Sequence, residues 1–226
     1  MSIKENINSV KQKIEQAALA VNRDPHEISI VAVSKNITPE TIQEAAEAGI
    51  KIIGENRVQE LLNKYDNIQN NLSWHMIGYL QTNKVKYIID KVELIHSLDR
   101  ISLAKEINKR AGRMGRKVQA LVQVNVSREE SKSGIFAEEL PSFIDEMSNY
   151  PNIEIKGLMT IGPNTEDADV IRACFRGLKL LYDELKNKGI DYIDMKYLSM
   201  GMSNDYEIAI QEGSNMVRIG RAIFDY

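Results

Sequence analysis

The chain has 226 residues and a formal net charge of −3 at pH 7, and no basic patch interleaved with aromatic residues supports nucleic-acid binding. Its one cysteine excludes an internal disulfide, and with three histidines the sequence offers no metal-ligand cluster. The N-terminus is charged and lacks a long apolar core, so we expect neither a signal peptide nor a membrane span, but a cytoplasmic protein.

The first predicted element is a helix over residues 2–21. Its apolar residues recur at alternating spacings of three and four, which places them on one face of a helix. That face consists of Ile3, Ile7, Val10, Ile14, Ala17, Ala18 and Val21. We expect this helix to pack over one end of the fold and to end before Asp24 and Pro25.

An almost continuous β-branched run over residues 28–34 predicts a strand that is buried on both faces. The run ends at Ser34, and a helix is predicted to begin after Thr38. Lys35 therefore lies at the carboxyl end of a buried strand, where α/β folds place ligands and catalytic groups. Position alone favours a lysine whose amine is simply in water, so its role depends on the rest of the chain.

Strand and helix patterns alternate from residue 28 onward without a composition break, so we expect a single domain over residues 1–226. The strands are predicted near 28–34, 51–54, 73–77, 93–97, 118–124, 154–159, 196–199 and 215–219. The helices between them are predicted near 39–48, 56–68, 82–90, 100–112, 137–148, 167–188 and 204–211. About eight βα units predict an α/β fold, a single (β/α)₈ barrel of the TIM type with an additional N-terminal helix. An open doubly wound sheet is the alternative, but its glycine-rich fingerprint is missing after the first strand.

Polar residues follow the second and third predicted strands. After Gly54, which allows a tight turn, Glu55, Asn56 and Gln59 are expected at the barrel mouth, although an ordinary polar helix start is the alternative. His75 lies in the apolar third strand, where a hydrogen-bonded core histidine is more common than a functional one; near a bound ligand it could lie beside a ring. The loop over residues 127–134 either faces the mouth or is solvated.

The last two predicted strands lead into loops that could hold a phosphate. Gly201 permits close backbone approach, and Ser203 is the expected N-cap of a helix whose free N–H groups face an anion. Arg218 and Gly220 end the last strand before a short extra helix, and barrels often form phosphate sites from these loops and such a helix. Asp205 would repel a phosphate, so we expect its side chain to point away.

A lysine after the first strand and a phosphate site after the last two would open onto the same barrel mouth. This arrangement suits Schiff-base chemistry between an amine and a phosphorylated aldehyde or ketone. Cys174 lies among apolar residues at helical spacing, which is typical of a buried thiol and not of a nucleophile.

The motifs also resemble those of a known family. The matching segments follow one another along nearly the whole chain and read AVSKN, IGENRVQE, WHMIGYLQTNK, HSLDR, QVNVSREESKSG, GLMTIG, LSMGMSND and VRIGRAIF. They are similar to segments of the pyridoxal phosphate homeostasis proteins, the YggS/PROSC family. Members of that family are single-domain barrels similar to the first domain of alanine racemase.

The resemblance implies a protein that binds pyridoxal 5′-phosphate (PLP) and acts in its intracellular homeostasis or carriage. It implies that Lys35 holds the cofactor as a Schiff base and that Asn56 and His75 lie near the cofactor ring. The residues that match the family's phosphate site are Ser199, Gly201, Met202, Ser203, Arg218 and Gly220. The family is not known for a robust catalytic activity, and it suggests a monomer with PLP-dependent apo-enzymes as candidate partners.

Two positions depart from the family pattern. Ile53 stands where an aromatic residue commonly precedes Gly-Glu-Asn, and we expect this difference to affect packing. The chain ends at Phe224, Asp225 and Tyr226, where relatives usually continue with Gly and Arg, so the contribution of the tail to the site is open.

We expect a carrier and not an efficient enzyme, because no residues after the eighth predicted strand supply the second domain that the racemases have. Tyr79 and Tyr206 are the nearest candidates for a substitute acid, although packing is the more ordinary role for both. Two alternatives remain open. One is a PLP-dependent enzyme similar to amino-acid racemases, and the other is a class I aldolase that uses Lys35 directly on a sugar phosphate.

Overall fold

A computed structural model describes residues 2–68 and 71–224, and these residues form a closed barrel of parallel strands surrounded by helices. The strands are β1 (Ser29–Val33), β2 (Ile52–Glu55), β3 (Ser73–Met76), β4 (Leu94–Leu98), β5 (Val118–Gln123), β6 (Ile153–Met159), β7 (Ile193–Ser199) and β8 (Met216–Ile219). The helices are α1 (Ile3–Leu19), α2 (Pro39–Glu47), α3 (Val58–Tyr65), α4 (Val85–Ile88), α5 (Ile101–Arg113), α6 (Leu140–Met147), α7 (Ala168–Lys188), α8 (Tyr206–Gln211) and α9 (Arg221–Phe224).

The strands pair in chain order from β1 to β8, and β8 pairs again with β1. All eight pairings are parallel, and in the closing pair Val31 lies opposite Arg218. The predicted (β/α)₈ barrel is therefore confirmed. Because every strand runs in the same direction, the segments that follow the eight strands meet at one mouth of the barrel.

The N-terminal helix α1 packs against α8, α9 and α2. Ser2 and Glu5 form a capping box at its start, and the Asn6 side chain donates to the Ile223 carbonyl oxygen at 3.0 Å. This bond joins the beginning of the described chain to its last helix. The apolar face of α1 is buried as its spacing predicts, except that the helix ends at Leu19 and leaves Val21 exposed.

The buried residues form two layers, one inside the barrel and one between the strands and the helices. The inner layer consists of Val31, Val33, Ile77, Leu94, Leu121, Met159 and Met216. Since side chains alternate along a strand, the residues between these point outward to the helices. Ile53, which departs from the family pattern, is one of the outward residues and is fully buried there. The departure therefore affects the packing outside the barrel and not its interior.

Among the described residues, no helix is both long enough and apolar enough to cross a membrane. Over the same part of the chain, no three His, Cys, Asp or Glu side chains come together as a possible metal site.

Candidate functional site

A cavity of about 1050 Å³ opens at the carboxyl ends of the strands. Its wall includes the ends of β1 and β8 and the segments that follow β2, β3, β6 and β7. Six of the nine residues predicted to bind the cofactor line this cavity. They are Lys35, Asn56, Met202, Ser203, Arg218 and Gly220. The other three, His75, Ser199 and Gly201, are not among its lining residues.

Lys35 continues the inward alternation of β1, in which Val31 and Val33 face the barrel interior. Its side chain is exposed and lines the cavity, while Ser34 before it is fully buried. The next residue, Asn36, has a positive φ of 60° and turns the chain away from the strand direction. The turn therefore presents Lys35 at the mouth and allows α2 to begin shortly afterwards, where Thr38 accepts a hydrogen bond from Thr41 N.

A buried ion pair on the outer side of the barrel holds the backbone before Lys35. The Lys64 Nζ atom of α3 lies 2.6 Å from Glu55 Oε1 and 2.6 Å from the Ser34 carbonyl oxygen. The Ser34 hydroxyl donates to the same Glu55 oxygen at 2.6 Å. Burial raises the pKa of Glu55, whereas the bonds from Lys64 and Ser34 oppose that rise. The cluster fixes the peptide group that links Ser34 to Lys35.

The prediction that Glu55 and Gln59 lie at the barrel mouth is wrong. Glu55 points outward from β2 because it alternates with Gly54, which faces Val31 and Ile77 inside the barrel. Gln59 is exposed on α3 and bonds to Asn63. Neither residue lines the cavity.

Asn56 reaches the cavity because the chain after β3 packs closely against it. A Cβ atom on Gly78 would lie 2.3 Å from the Asn56 carbonyl oxygen, so this position requires glycine. The Ser97 hydroxyl at the end of β4 donates to the Gly78 carbonyl oxygen at 2.7 Å, which holds Gly78 in this contact. Asn56 is therefore held by the backbone of the neighbouring segment.

Arg218 is a buried cation that faces the cavity, with only 4% of its surface exposed. It donates to Ser199 Oγ at 2.7 Å and to the Thr160 carbonyl oxygen at 2.8 Å, both of which are neutral acceptors. Burial lowers the pKa of Arg218 to about 10, and the more distant Asp205 opposes this. No carboxylate among the described residues forms an ion pair with Arg218. Three of its five N–H groups are left uncommitted by these bonds.

His75 and Ser199 are buried inside the barrel, and neither lines the large cavity at its mouth. His75 Nδ1 lies 2.9 Å from His96 Nε2, and His96 Nδ1 lies 3.1 Å from Ser199 Oγ. His75 also borders a separate cavity of about 510 Å³ at the amino ends of the strands, with Ser29 and Tyr197. His75 is thus the hydrogen-bonded core histidine that an apolar strand favours, and Ser199 connects it to Arg218 through His96.

The residue at the N-cap position of α8, at the end of the loop after β7, differs from the prediction. Asp205 and not Ser203 is the N-cap of α8, and Asp205 Oδ1 accepts from Met202 N at 2.6 Å. Asp205 is buried and its side chain folds back on its own loop, although it still borders the cavity. Gly201 has a φ of +95°, and a Cβ atom there would lie 2.6 Å from Ala209 Cβ. Gly201 therefore shapes the turn without lining the cavity itself.

Ser203 instead faces the last helix. Its hydroxyl accepts a hydrogen bond from Ala222 N at 3.4 Å, and Arg221 donates to the neighbouring Asn204 at 3.2 Å. These bonds join the loop after β7 to the start of α9, so Ser203 and Gly220 line the same part of the cavity. Of the altered tail, Asp225 and Tyr226 lie outside the described residues.

Two site residues were not predicted from the sequence, namely His96 and Thr160. The alternation of β4 contained the signal for His96, since Leu94 and His96 share one face of the strand. Thr160 contributes a backbone carbonyl oxygen, which no side-chain pattern reveals. The loop at 127–134 folds back outside the cavity, with Lys132 bound to Glu129 and to the Gly162 carbonyl oxygen.

Other candidate groups have environments that reduce their reactivity. Cys174 is buried, and burial raises its pKa to about 11, so the thiol is not activated. Tyr206 is also buried, and burial raises its pKa to about 12. Tyr79 lines the cavity with 54% of its surface exposed, and the Arg100 guanidinium lies 4.5 Å from its ring centre.

Known proteins match this chain over nearly its whole length. The model of the family described as alanine racemase, N-terminal domain, matches residues 2–226. The pyridoxal phosphate homeostasis protein of Aquifex aeolicus is 43% identical, over 99% of this chain and 98% of that protein. The protein of the same name from Helicobacter pylori is 41% identical, over 99% of both chains.

A solved structure with a bound ligand also matches. PipY of Synechococcus elongatus PCC7942, with PLP bound, has a TM-score of 0.86 and 30% identity, over 99% of this chain and 100% of that one. The full-length agreement in sequence and in fold assigns the family. The chain therefore belongs to the pyridoxal phosphate homeostasis proteins, a group with the fold of alanine racemase N-terminal domains.

Proposed function

We propose that this protein binds PLP in the cavity at the carboxyl ends of the strands and acts in intracellular PLP homeostasis. The observation that carries the proposal is Arg218, a buried guanidinium that faces the cavity without a carboxylate partner among the described residues. A buried charge is costly unless it is paired, so this position favours an anionic or strongly accepting ligand. PLP offers both a phosphate and a pyridine nitrogen.

Lys35 is the residue that we propose to join to the cofactor covalently. PLP supplies an aldehyde when it is bound, and an amine condenses with an aldehyde to a Schiff base with loss of water. The exposed amine of Lys35 borders the cavity, and the Glu55–Lys64–Ser34 cluster holds the backbone from which it extends. Support for this role also comes from the motif around Lys35, which resembles the cofactor lysine segment of the family.

The phosphate is proposed to lie where the loop after β7 meets α9. Ser203 and Gly220 line the cavity there, and Met202 covers the adjoining rim with 39% of its surface exposed. Arg218 lies within β8 and faces the same cavity, and it is proposed to contact either the phosphate or the ring. Asn56 lines the cavity directly after β2 and is proposed to contact the ring. Ser199, Gly201 and His75 act in this proposal by holding other residues and not by touching the cofactor.

The first experiment tests covalent attachment. We expect purified protein mixed with PLP to show a visible absorption band that disappears on borohydride reduction, and peptide mass spectrometry to find the reduced adduct on Lys35. Lys35→Ala should lose the band and the adduct while keeping its fold, because no buried contact passes through this side chain. Lys84→Ala, at the start of α4 and outside the cavity lining, is the matched control and should keep both. An undiminished band in Lys35→Ala would contradict the assignment.

A second experiment separates a carrier from a racemase-like enzyme. An exposed rim at Tyr79 and Met202 keeps water near the cofactor, which weakens the electrostatic stabilisation of a carbanion. We expect negligible deuterium incorporation at Cα when the loaded protein is incubated with L-amino acids in deuterated water. We also expect it to reactivate a PLP-dependent apo-enzyme. Exchange at about 1 s⁻¹ or faster would favour the racemase-like alternative.

We further propose that the protein is a cytoplasmic monomer whose partners are PLP-dependent apo-enzymes. The resemblance to the family supports the monomer, and PLP-dependent apo-enzymes would be the acceptors that a carrier requires. Light scattering after size-exclusion chromatography tests the monomeric state, and fractionation of cells tests the cytoplasmic location. The reactivation experiment above tests transfer to an apo-enzyme. A stable dimer that buries the rim residues Tyr79 and Met202 would contradict the monomer and the open site together.

A further inference from the structure

Inside the barrel, four side chains form a continuous hydrogen-bonded chain that we call the interior relay. It consists of Arg218, Ser199, His96 and His75, with successive separations of 2.7 Å, 3.1 Å and 2.9 Å. All four residues are buried, and they come from strands β8, β7, β4 and β3. The relay therefore runs across the barrel interior from the large cavity to the cavity at the amino ends of the strands.

The direction of every bond in the interior relay follows from its charged end. A guanidinium has only donors, so Arg218 donates to Ser199 Oγ. The Ser199 hydroxyl then has one hydrogen to donate, and His96 Nδ1 is its one other side-chain partner among the described residues. A buried hydroxyl hydrogen without an acceptor would be unfavourable, so Ser199 donates to His96. An accepting Nδ1 also places the negative end of the imidazole toward the cation.

The requirement that each buried donor has an acceptor also fixes the hydrogen positions of the two histidines. Burial lowers the pKa of His96 well below its usual value and that of His75 to about 3, so both rings are neutral and carry one N–H each. Since His96 accepts at Nδ1, its hydrogen is on Nε2 and is donated to His75 Nδ1. The His75 hydrogen is then on Nε2. Every donor in the relay points away from Arg218, and no competing donor faces the guanidinium from this side.

We propose that Ser199 and His96 are positioning residues, which orient the Arg218 guanidinium toward the large cavity by this one-way hydrogen bonding. The inference rests on the proposed function, because the ligand that Arg218 meets is taken to be PLP. Ser199 binds one of the two terminal nitrogens of Arg218, and the Thr160 carbonyl oxygen binds the other. His96 acts one step further away, by keeping the Ser199 oxygen turned to accept from Arg218.

The test uses a substitution that removes the acceptor and one that restores it. The Oδ1 atom of an asparagine at position 96 lies close to where histidine has Nδ1, so His96→Asn can still accept from Ser199, whereas His96→Leu cannot. Ser199→Ala removes the middle of the interior relay. We expect His96→Leu and Ser199→Ala to bind PLP about tenfold more weakly, and His96→Asn to stay within about threefold of the parent.

The absorption band of bound PLP distinguishes positioning from general support of the fold. We expect its maximum to shift in His96→Leu and Ser199→Ala, because the charge of Arg218 moves relative to the ring, and to remain in place in His96→Asn. Equal losses in His96→Asn and His96→Leu, or parental affinity with an unshifted band in Ser199→Ala, would overturn the inference. If His96→Leu does not fold, as circular dichroism would show, Ser199→Ala decides the matter.

Borohydride trapping on Lys35 keeps this inference separate from the proposed function. Every folded variant should still be trapped on Lys35 at saturating PLP. Trapping in the parent together with unchanged affinity in both Ser199→Ala and His96→Leu overturns the positioning role alone. Failure of the parent itself to bind PLP overturns the proposed function, and the positioning role with it.

Discussion

Two buried cations lie on opposite sides of the barrel wall, and their surroundings differ in one respect. Lys64, outside the strands, is paired with the Glu55 carboxylate at 2.6 Å. Arg218, inside the strands, is bound by a hydroxyl and a carbonyl oxygen, both neutral. A cation that is neutralised within the protein contributes to the structure, whereas a cation that is held but not neutralised is available to a ligand. The comparison predicts that stability depends on Lys64 and that binding depends on Arg218.

The largest expected effect is the loss of stability on breaking the outer pair. We expect Lys64→Met to lower the free energy of unfolding by about 3–5 kcal/mol, because Glu55 is then buried without its cation. Urea denaturation measures the change. In the double variant Glu55→Leu with Lys64→Met no charge remains buried, and we expect it to recover part of the loss. A double variant as unstable as Lys64→Met would show that the pair is not what stabilises this region.

The loss in Lys64→Met should also depend on pH. Burial raises the folded-state pKa of Glu55, and removing Lys64 takes away an interaction that opposes the rise. A carboxyl whose pKa is higher in the folded state favours folding below its unfolded pKa, and this advantage is lost as the pH rises through the folded value. Lys64→Met should therefore be more destabilised at pH 7 than at pH 5.

The next effect in size concerns the inner cation. We expect Arg218→Gln to weaken PLP binding about tenfold to a hundredfold, since a hydrogen bond to a charged group contributes about 1.5–3 kcal/mol. The stability of the protein without PLP should change by less than about 1 kcal/mol, because the lost bonds are offset by removal of an unpaired buried charge. Arg113→Gln, at the exposed end of α5 and outside the cavity lining, is the control and should have little effect.

The same variant distinguishes the two ends of the cofactor. If Arg218 contacts the phosphate, Arg218→Gln should discriminate less than the parent between PLP and plain pyridoxal in a spectral titration. An equal loss for both ligands would place Arg218 against the ring. A large loss of stability without a loss of affinity would contradict the comparison between the two cations.

The smallest expected effect concerns Asp205, a carboxylate whose charge raises the pKa of Arg218 without a hydrogen bond between them. Asp205→Asn keeps an oxygen that can accept from Met202 N but removes the negative charge beside the cavity. We expect PLP to bind about two- to threefold more tightly, with a smaller difference at high salt. Weaker binding in Asp205→Asn would mean that Asp205 and Arg218 act as a pair after all.

The barrel itself could be predicted from the sequence because its signals are local. The strands are short and carry apolar residues at their inward and outward positions, Asn56 and Gly220 directly follow β2 and β8, and Lys35 lies two residues after β1. Alternation along one strand is enough to place Lys35 at the mouth. Residues such as these are positioned by their own element.

The interior relay and the caps could not be predicted in the same way. His96 and Ser199 are 103 residues apart, and their contact depends on how the whole barrel closes. Glu55 was misplaced because the strand extends one residue further than a break after Gly54 suggests, so its side chain turns outward. Asp205 occupies the N-cap position of α8, but its side chain makes no capping hydrogen bond and accepts from Met202 N of the preceding loop instead. Local propensity does not encode this contact within the loop after β7.

The exposed rim of the large cavity has a kinetic consequence. Lys35, Tyr79 and Met202 all reach solvent, so water has access to the attachment point of a ligand at several places. If Lys35 forms the proposed covalent bond, hydrolysis of that bond, and not a conformational change of the protein, would govern the residence time of the cofactor. Its release rate should accordingly be insensitive to solvent viscosity and independent of the concentration of an acceptor that captures the free cofactor.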